Sequence, residues 1–220
     1  MGPAGWLAVY TLIALSSASV VWFFQVRRSM LMRMRAVVGI LEDVFRPRDK
    51  TYTLLGYLVG FRAVYRLDWP WAGRAWILYT MPPSHVFLYL PVVVLQRRRD
   101  RLEVTLRLAS PLPGEAHVYD PGDRWARRLV ARDTAESRGR LRERELELAG
   151  KRYRALYSGE EALSKAERLA QELLARGVDV RRVTLDDGRR ALHVSLAPSL
   201  DTLREALETV KRSARLLAGS

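Results

Sequence analysis

The chain has 220 residues, 49% of them apolar and 28% charged, which suits one or two folded domains and excludes a disordered chain. It has no cysteine, so disulfides, thiolate metal sites and a cysteine nucleophile are excluded, and its net charge of +13 is carried almost wholly by arginine. Asparagine is absent and lysine scarce, a thermophile-like composition that a GC-rich genome produces equally well.

Residues 2–26 carry no charge, and about 20 such residues suffice for a helix to cross a bilayer core. Trp6 and Tyr10 lie toward one end of this run and Trp22, Phe23 and Phe24 toward the other, where interfacial aromatics collect. Arg27, Arg28, Arg33 and Arg35 follow at once, so the positive-inside rule places the amino terminus outside and the rest in the cytoplasm. No basic residue precedes the run and it continues past Ser16, Ser17 and Ala18, which argues for an uncleaved single-pass anchor rather than a signal peptide. Helical spacing of Leu31, Met34, Val38, Leu41 and Phe45 then predicts a juxtamembrane helix ended by "RPRDK", so that residues 27–50 form helix and linker.

Residues 51–157 read as an antiparallel β-rich region. From Tyr57 to Leu67 apolar residues hold the odd positions while Arg62 and Arg66 fall on the other face. "AWILYT", "HVFLYL" and "PVVVL" follow; three prolines and the "RRRDR" run after them argue for strands over a second membrane crossing. Leu102, Val104, Leu106 and Leu108 alternate with Arg101, Glu103, Thr105 and Arg107. A short strand is expected at Ala116 to Tyr119, a helix capped by Asp123, a loop near Gly139, and a hairpin turning at Ala149-Gly150.

Residues 158–220 read as an α-β-β-α unit packed with the preceding sheet. Ser158 with Glu161 forms the pattern of a capping box, opening a helix with an apolar stripe of Leu163, Ala166, Ala170, Leu173 and Leu174 that ends near Gly177. "VDVRRVTLDDGRRALHVSL" is a hairpin with an Asp187-Gly188 turn. Thr202 with Glu205 is expected to cap a last helix lined by Leu203, Ala206, Leu207, Val210 and Leu217. From Tyr153 the order is β-α-β-β-α, with two helices on one face of a small antiparallel sheet, and the fold class is α+β.

Charge is graded along the chain: +9 over residues 27–101, +3 over 102–157 and +1 over 158–220. That gradient suits a domain near anionic head groups, with Arg27, Arg28, Arg33, Arg35, Arg46, Arg48 and Lys50 at the membrane surface and Arg97, Arg98, Arg99 and Arg101 as anionic-ligand contacts; the same arginines also serve topology alone. Between Arg124 and Arg154 the arginines interleave with Asp133, Glu136, Glu143, Glu145 and Glu147, the pattern of a salt-bridged face, which argues against nucleic acid as a partner there.

His85, His117 and His193 each lie in or beside an expected strand and none has metal-ligand spacing, so no metal, cofactor or catalytic residue is assigned. The carboxylates of "DPGD" (Asp120 to Asp123) read as a turn and a helix cap, with a divalent cation as the weaker reading. The expected function is therefore binding without catalysis: an accessory or scaffold subunit of a membrane protein complex. The alternative is recognition of acidic lipid head groups, or of the RNA of a membrane-associated ribosome.

Overall fold

A computed structural model describes residues 2–56, 58–83, 95 and 99–219. The chain opens with α1 (Pro3–Phe45), an unbroken helix of 43 residues with Pro at its first turn, where a missing N–H costs nothing. At 1.5 Å per residue it is about 65 Å long, roughly twice the thickness of a bilayer core. It stops at Arg46, which takes the left-handed conformation (φ 43°) before Pro47 and donates its N–H to Glu42. Among the described residues α1 is the one helix long and apolar enough to cross a membrane.

Met30 is the first buried residue of α1, and Val37, Leu41, Val44 and Phe45 follow it into the core. This buried stripe shares Leu41 and Phe45 with the expected one, but Leu31 is exposed and Met34 and Val38 are only half-buried. An apolar helical stripe is wider than any one row of residues, and the elements that dock on it select which side of it is covered.

Nine strands form one antiparallel sheet among the described residues: β1 (Asp49–Leu54), β2 (Gly60–Trp69), β3 (Ala72–Thr80), β4 (Arg101–Leu108), β5 (Ala116–Tyr119), β6 (Arg142–Leu148), β7 (Lys151–Tyr157), β8 (Asp179–Asp186) and β9 (Ala191–Ala197). Their order is β1-β2-β3-β4-β9-β8-β5-β7-β6, so the expected small sheet is the far half of a larger one joined through the β4–β9 pair. β1 was not expected; it begins within the stretch read as linker. β2 starts at Gly60 rather than Tyr57, because the chain is still turning from β1 at Leu58 (φ 56°), with the Leu55 N–H bonded to the Gly60 carbonyl; Gly60 itself holds φ 146°, where a Cβ would lie 1.9 Å from the Tyr79 carbonyl oxygen. Of the expected strands "HVFLYL" and "PVVVL" only Leu95 is described, and it is helical and exposed where a buried strand was expected; the other residues of both, and Tyr57, lie outside the described residues.

Among the described residues three further α-helices with assigned bounds complete the α+β fold: α2 (Arg124–Asp133), α3 (Glu160–Ala175) and α4 (Leu200–Ala218). The front of the sheet, α3, α4 and the last turns of α1 share one continuous core. α2 seats on the rear, where Ala126 and Val130 pack with Tyr119 and Leu156. Asp123 caps α2 as expected, accepting from the N–H groups of Trp125 and Ala126. The other two caps differ. Gly159 is the N-cap of α3, and Ser158 instead bonds Glu115 through its hydroxyl, tying the helix start to β5. Ser199, not Thr202, precedes α4, without a side-chain cap bond. Ser158 has a better partner than the capping pattern supplies, and at Thr202 the helix has already started.

The hairpin turns also divide. Ala149 and Gly150 both take positive φ (49° and 73°), the two-residue turn expected between β6 and β7. Between β8 and β9 the loop has four residues, with Arg190 rather than Gly188 in the left-handed region. Asp187 is used there as an acceptor for the Leu112 N–H at 2.9 Å, which holds the turn open.

Candidate functional site

Strand pairing places polar residues from four strands side by side on the rear of the sheet. In register, Thr105 of β4 faces His193 of β9, His193 faces Thr184 of β8, and Thr184 faces His117 of β5. One row along, Glu103, Ser195, Arg182 and Tyr119 are neighbours in the same way. Directly opposed Cβ atoms in such pairs sit about 5 Å apart. Beside α2, the rows border a cavity of about 180 Å³ whose wall includes Glu103, Asp133, Arg182, His117 and His193.

Hydrogen bonds fix the direction of polarity across this row. Arg182, 4% exposed, donates Nε–H to Thr184 Oγ1 at 2.9 Å and Nη2–H to Asp133 at 2.7 Å. His117 Nε2 is 2.8 Å from Glu115 Oε1 and its Nδ1 is 3.1 Å from Thr184 Oγ1. Because the carboxylate can only accept, Nε2 carries the proton, Nδ1 accepts from Thr184, and Thr184 accepts from Arg182. Burial holds the His117 pKa below the ordinary histidine value, although Glu115 opposes that shift. His193 Nδ1 lies 2.8 Å from Thr105 Oγ1, and its Nε2 is shut off from solvent with no hydrogen-bond partner among the described residues. Burial, helped by the Arg182 charge, pushes the His193 pKa down to about 3, so the ring is neutral at physiological pH. Burial also lowers Arg182; for Asp133 burial would raise the carboxyl, but the adjacent Arg182 charge outweighs it and the net shift is down.

Sequence reasoning treated the two histidines singly and did not assign Arg182 or Asp133. They are 76 positions apart at the histidines (193 − 117) and meet only because β9 and β8 insert between β4 and β5. His85 lies outside the described residues.

The "DPGD" carboxylates face cations of the chain itself. Asp120 is 2.8 Å from Lys151 and 3.4 Å from Arg181, and Asp123 pairs with Arg101. Asp179 completes the network with Arg181 at 2.6 Å and Arg99 at 3.7 Å. These bonds satisfy the pair that could otherwise have held a divalent cation.

The basic residues assigned from sequence are scattered. Arg28, Arg35 and Arg46 are exposed, and Arg27 is half-buried and engaged. Arg33 pairs with Asp100 at 3.2 Å, Arg48 with Asp68 at 3.7 Å and Lys50 with Glu42 at 2.6 Å. Arg99 and Arg101 belong to the Asp179 and Asp123 pairs, and Arg97 and Arg98 lie outside the described residues. The chain matches no protein-family model and no curated protein.

Proposed function

We propose that this is a single-pass membrane protein, amino terminus outside, whose cytoplasmic α+β domain works by binding: an accessory or scaffold subunit of a membrane protein complex. The observation that carries this reading is the division of α1. Its first half is apolar and open to its surroundings, while its second half is built into the domain's core. Phe45 stacks on Trp69 at 5.7 Å, Lys211 donates to the Val44 carbonyl at 3.0 Å, and Arg204 pairs with Asp43 at 2.7 Å. A domain fastened to its anchor in this way turns with the anchor, which suits a subunit that reports on or braces a neighbour in the bilayer. The fixed partners of His117 and the enclosed Nε2 of His193 support structural over catalytic duty for the rear row.

The test is crosslinking in the native membrane, then capture on a carboxy-terminal tag and mass spectrometry. Reproducible integral-membrane partners are expected; a lone monomer would remove the reading. Orientation is checked separately, since the chain has no cysteine: Arg168→Cys should resist an impermeant maleimide in intact cells and Gly2→Cys should react.

A second reading is favoured by Arg28 and Arg35, exposed within the first turns past the apolar stretch, where anionic lipid attracts basic residues. Salt-sensitive retention on acidic vesicles that falls with Arg28→Ala and Arg35→Ala is its expected mark.

A further inference from the structure

On the rear of the sheet, three arginines stand opposite one another on adjacent strands. Arg66 of β2 pairs in register with Arg74 of β3, and Arg74 with Arg107 of β4. All three are exposed, as is Arg62 of β2, and none of the four makes an ion pair among the described residues. Nearby carboxylates are committed elsewhere: Asp68 to Arg48, Asp186 to Arg189, and Glu103 to Arg101 and the Trp125 indole. Asp49 faces Arg66 in register, but its Oδ1 accepts the Lys50 N–H at 2.8 Å. Like charges set directly opposite each other in a sheet are unfavourable; Asp49 supplies a negative charge at the Arg66 edge, so an anion over Arg74 and Arg107 is what this row lacks.

Two indoles share the face. Trp76 lies one row from the arginines, half-buried between Val64 and Thr105, and Trp125 of α2 is 50% exposed beside Glu103. An open sheet face with aromatic rings and arginines around them is how many proteins hold single strands: bases stack on the rings and guanidinium groups take phosphates.

Height along α1 separates this from lipid binding. β3 runs back beside the helix: Tyr79 and Arg33 share Asp100, while Phe45 packs on Tyr65 and Trp69, next to Arg66. The arginine row is therefore level with the end of α1, 19 residues past Val26 (45 − 26), or about 28 Å. Even at a 40° tilt the drop is about 21 Å, more than twice the physiological Debye length of about 8 Å. We infer that this face binds single-stranded nucleic acid. The exclusion of lipid rests on the anchored reading; the binding itself does not.

The experiment uses the full chain in detergent micelles and a fluorescent oligouridylate, read by anisotropy. Binding at low salt is expected, with a log–log salt slope of about −2 to −3 for three or four phosphates. Arg66→Ala, Arg74→Ala and Arg107→Ala together, with a melting temperature that does not fall, should lose at least about tenfold, and Trp76→Leu about tenfold through lost stacking. Arg28→Ala with Arg35→Ala should change nothing. No binding, or binding indifferent to the triple substitution, would overturn the inference. So would polyglutamate binding as tightly and ignoring Trp76→Leu, which marks an acidic protein partner. Flotation on phosphatidylglycerol vesicles that depends on the arginine row would equally overturn it, in favour of lipid. Failure of the cysteine labelling above with oligonucleotide binding intact would remove the anchor and leave this site standing.

Discussion

On the front of the sheet β4 presents Leu102, Val104, Leu106 and Leu108; on the rear the alternating residues are Arg101, Glu103, Thr105 and Arg107. The front faces α1, α3 and α4 and is closed by apolar burial, which is non-directional and roughly proportional to area. Among the described residues the rear is closed where α2 seats, and its middle is held by the directional chain from Arg182 through Thr184 and His117 to Glu115. Toward β1 to β4 the rear carries exposed arginines that face each other across β2, β3 and β4, with Asp49 of β1 opposite Arg66 at the edge. One set of strands therefore has a face that sets stability, a patch of structural polarity, and a patch left for something outside the chain.

The sharpest way to break this division is to cut the front. Phe45→Ala removes a fully buried ring that packs on Tyr65 and Trp69, and should cost about 3–5 kcal/mol in thermal or denaturant unfolding. Leu41→Met at the neighbouring turn keeps volume and should cost less than about 1.5 kcal/mol. A smaller loss from Phe45→Ala than from any rear substitution would mean that α1 is not part of the core. Next in size, Arg182→Met leaves half-enclosed Asp133 with only the exposed Arg132 at 3.5 Å and should cost about 3 kcal/mol. Adding Asp133→Leu should recover most of that, since replacing both members of a buried pair is often near neutral. Failure to recover would show that the Arg182 bond to Thr184, and not the ion pair, anchors the row.

These contrasts were unequally legible in the sequence. Alternation in β2 and β4, the Ala149-Gly150 hairpin and the apolar stripes of α3 and α4 were readable because each depends on residues close in the chain. The rear row was not, because it depends on strand order: residues 105, 193, 184 and 117 become neighbours through three pairings, two of which, β4 with β9 and β5 with β8, join strands far apart in the chain. The same is true of the arginine row: Arg66 and Arg107 fell on the polar faces of strands read from alternation, Arg74 lay just before the expected "AWILYT" strand, and the three could not be aligned without register. Ser158 and Thr202 matched a local capping pattern that tertiary partners and an earlier helix start displaced.

Acid sharpens the comparison from the rear. His193 has a folded pKa of about 3 against an ordinary 6.5, so below the ordinary value the unfolded chain binds a proton that the native chain refuses. Its contribution is fully present above about pH 6.5 and is lost as pH falls toward 3, about 2 kcal/mol by pH 5. His117, lowered in the same direction, adds to the slope. His193→Gln should flatten the decline of unfolding free energy between pH 6.5 and 5; an unchanged slope would mean that the ring is already hydrated.

The smallest effect is expected where the rear is open. Arg74 opposes both Arg66 and Arg107, so Arg74→Thr removes two like-charge contacts and puts a good strand former in their place. Stability should rise by about 0.5–1 kcal/mol at low ionic strength. The gain should vanish in 1 M salt, where the Debye length falls to about 3 Å. A loss of more than about 1 kcal/mol would instead show that the arginine stem packs on the sheet as Lys and Arg stems often do. The patch would then belong with the structural middle of the rear face rather than apart from it. A salt-dependent gain is what a row arranged for an external anion should give when that anion is missing.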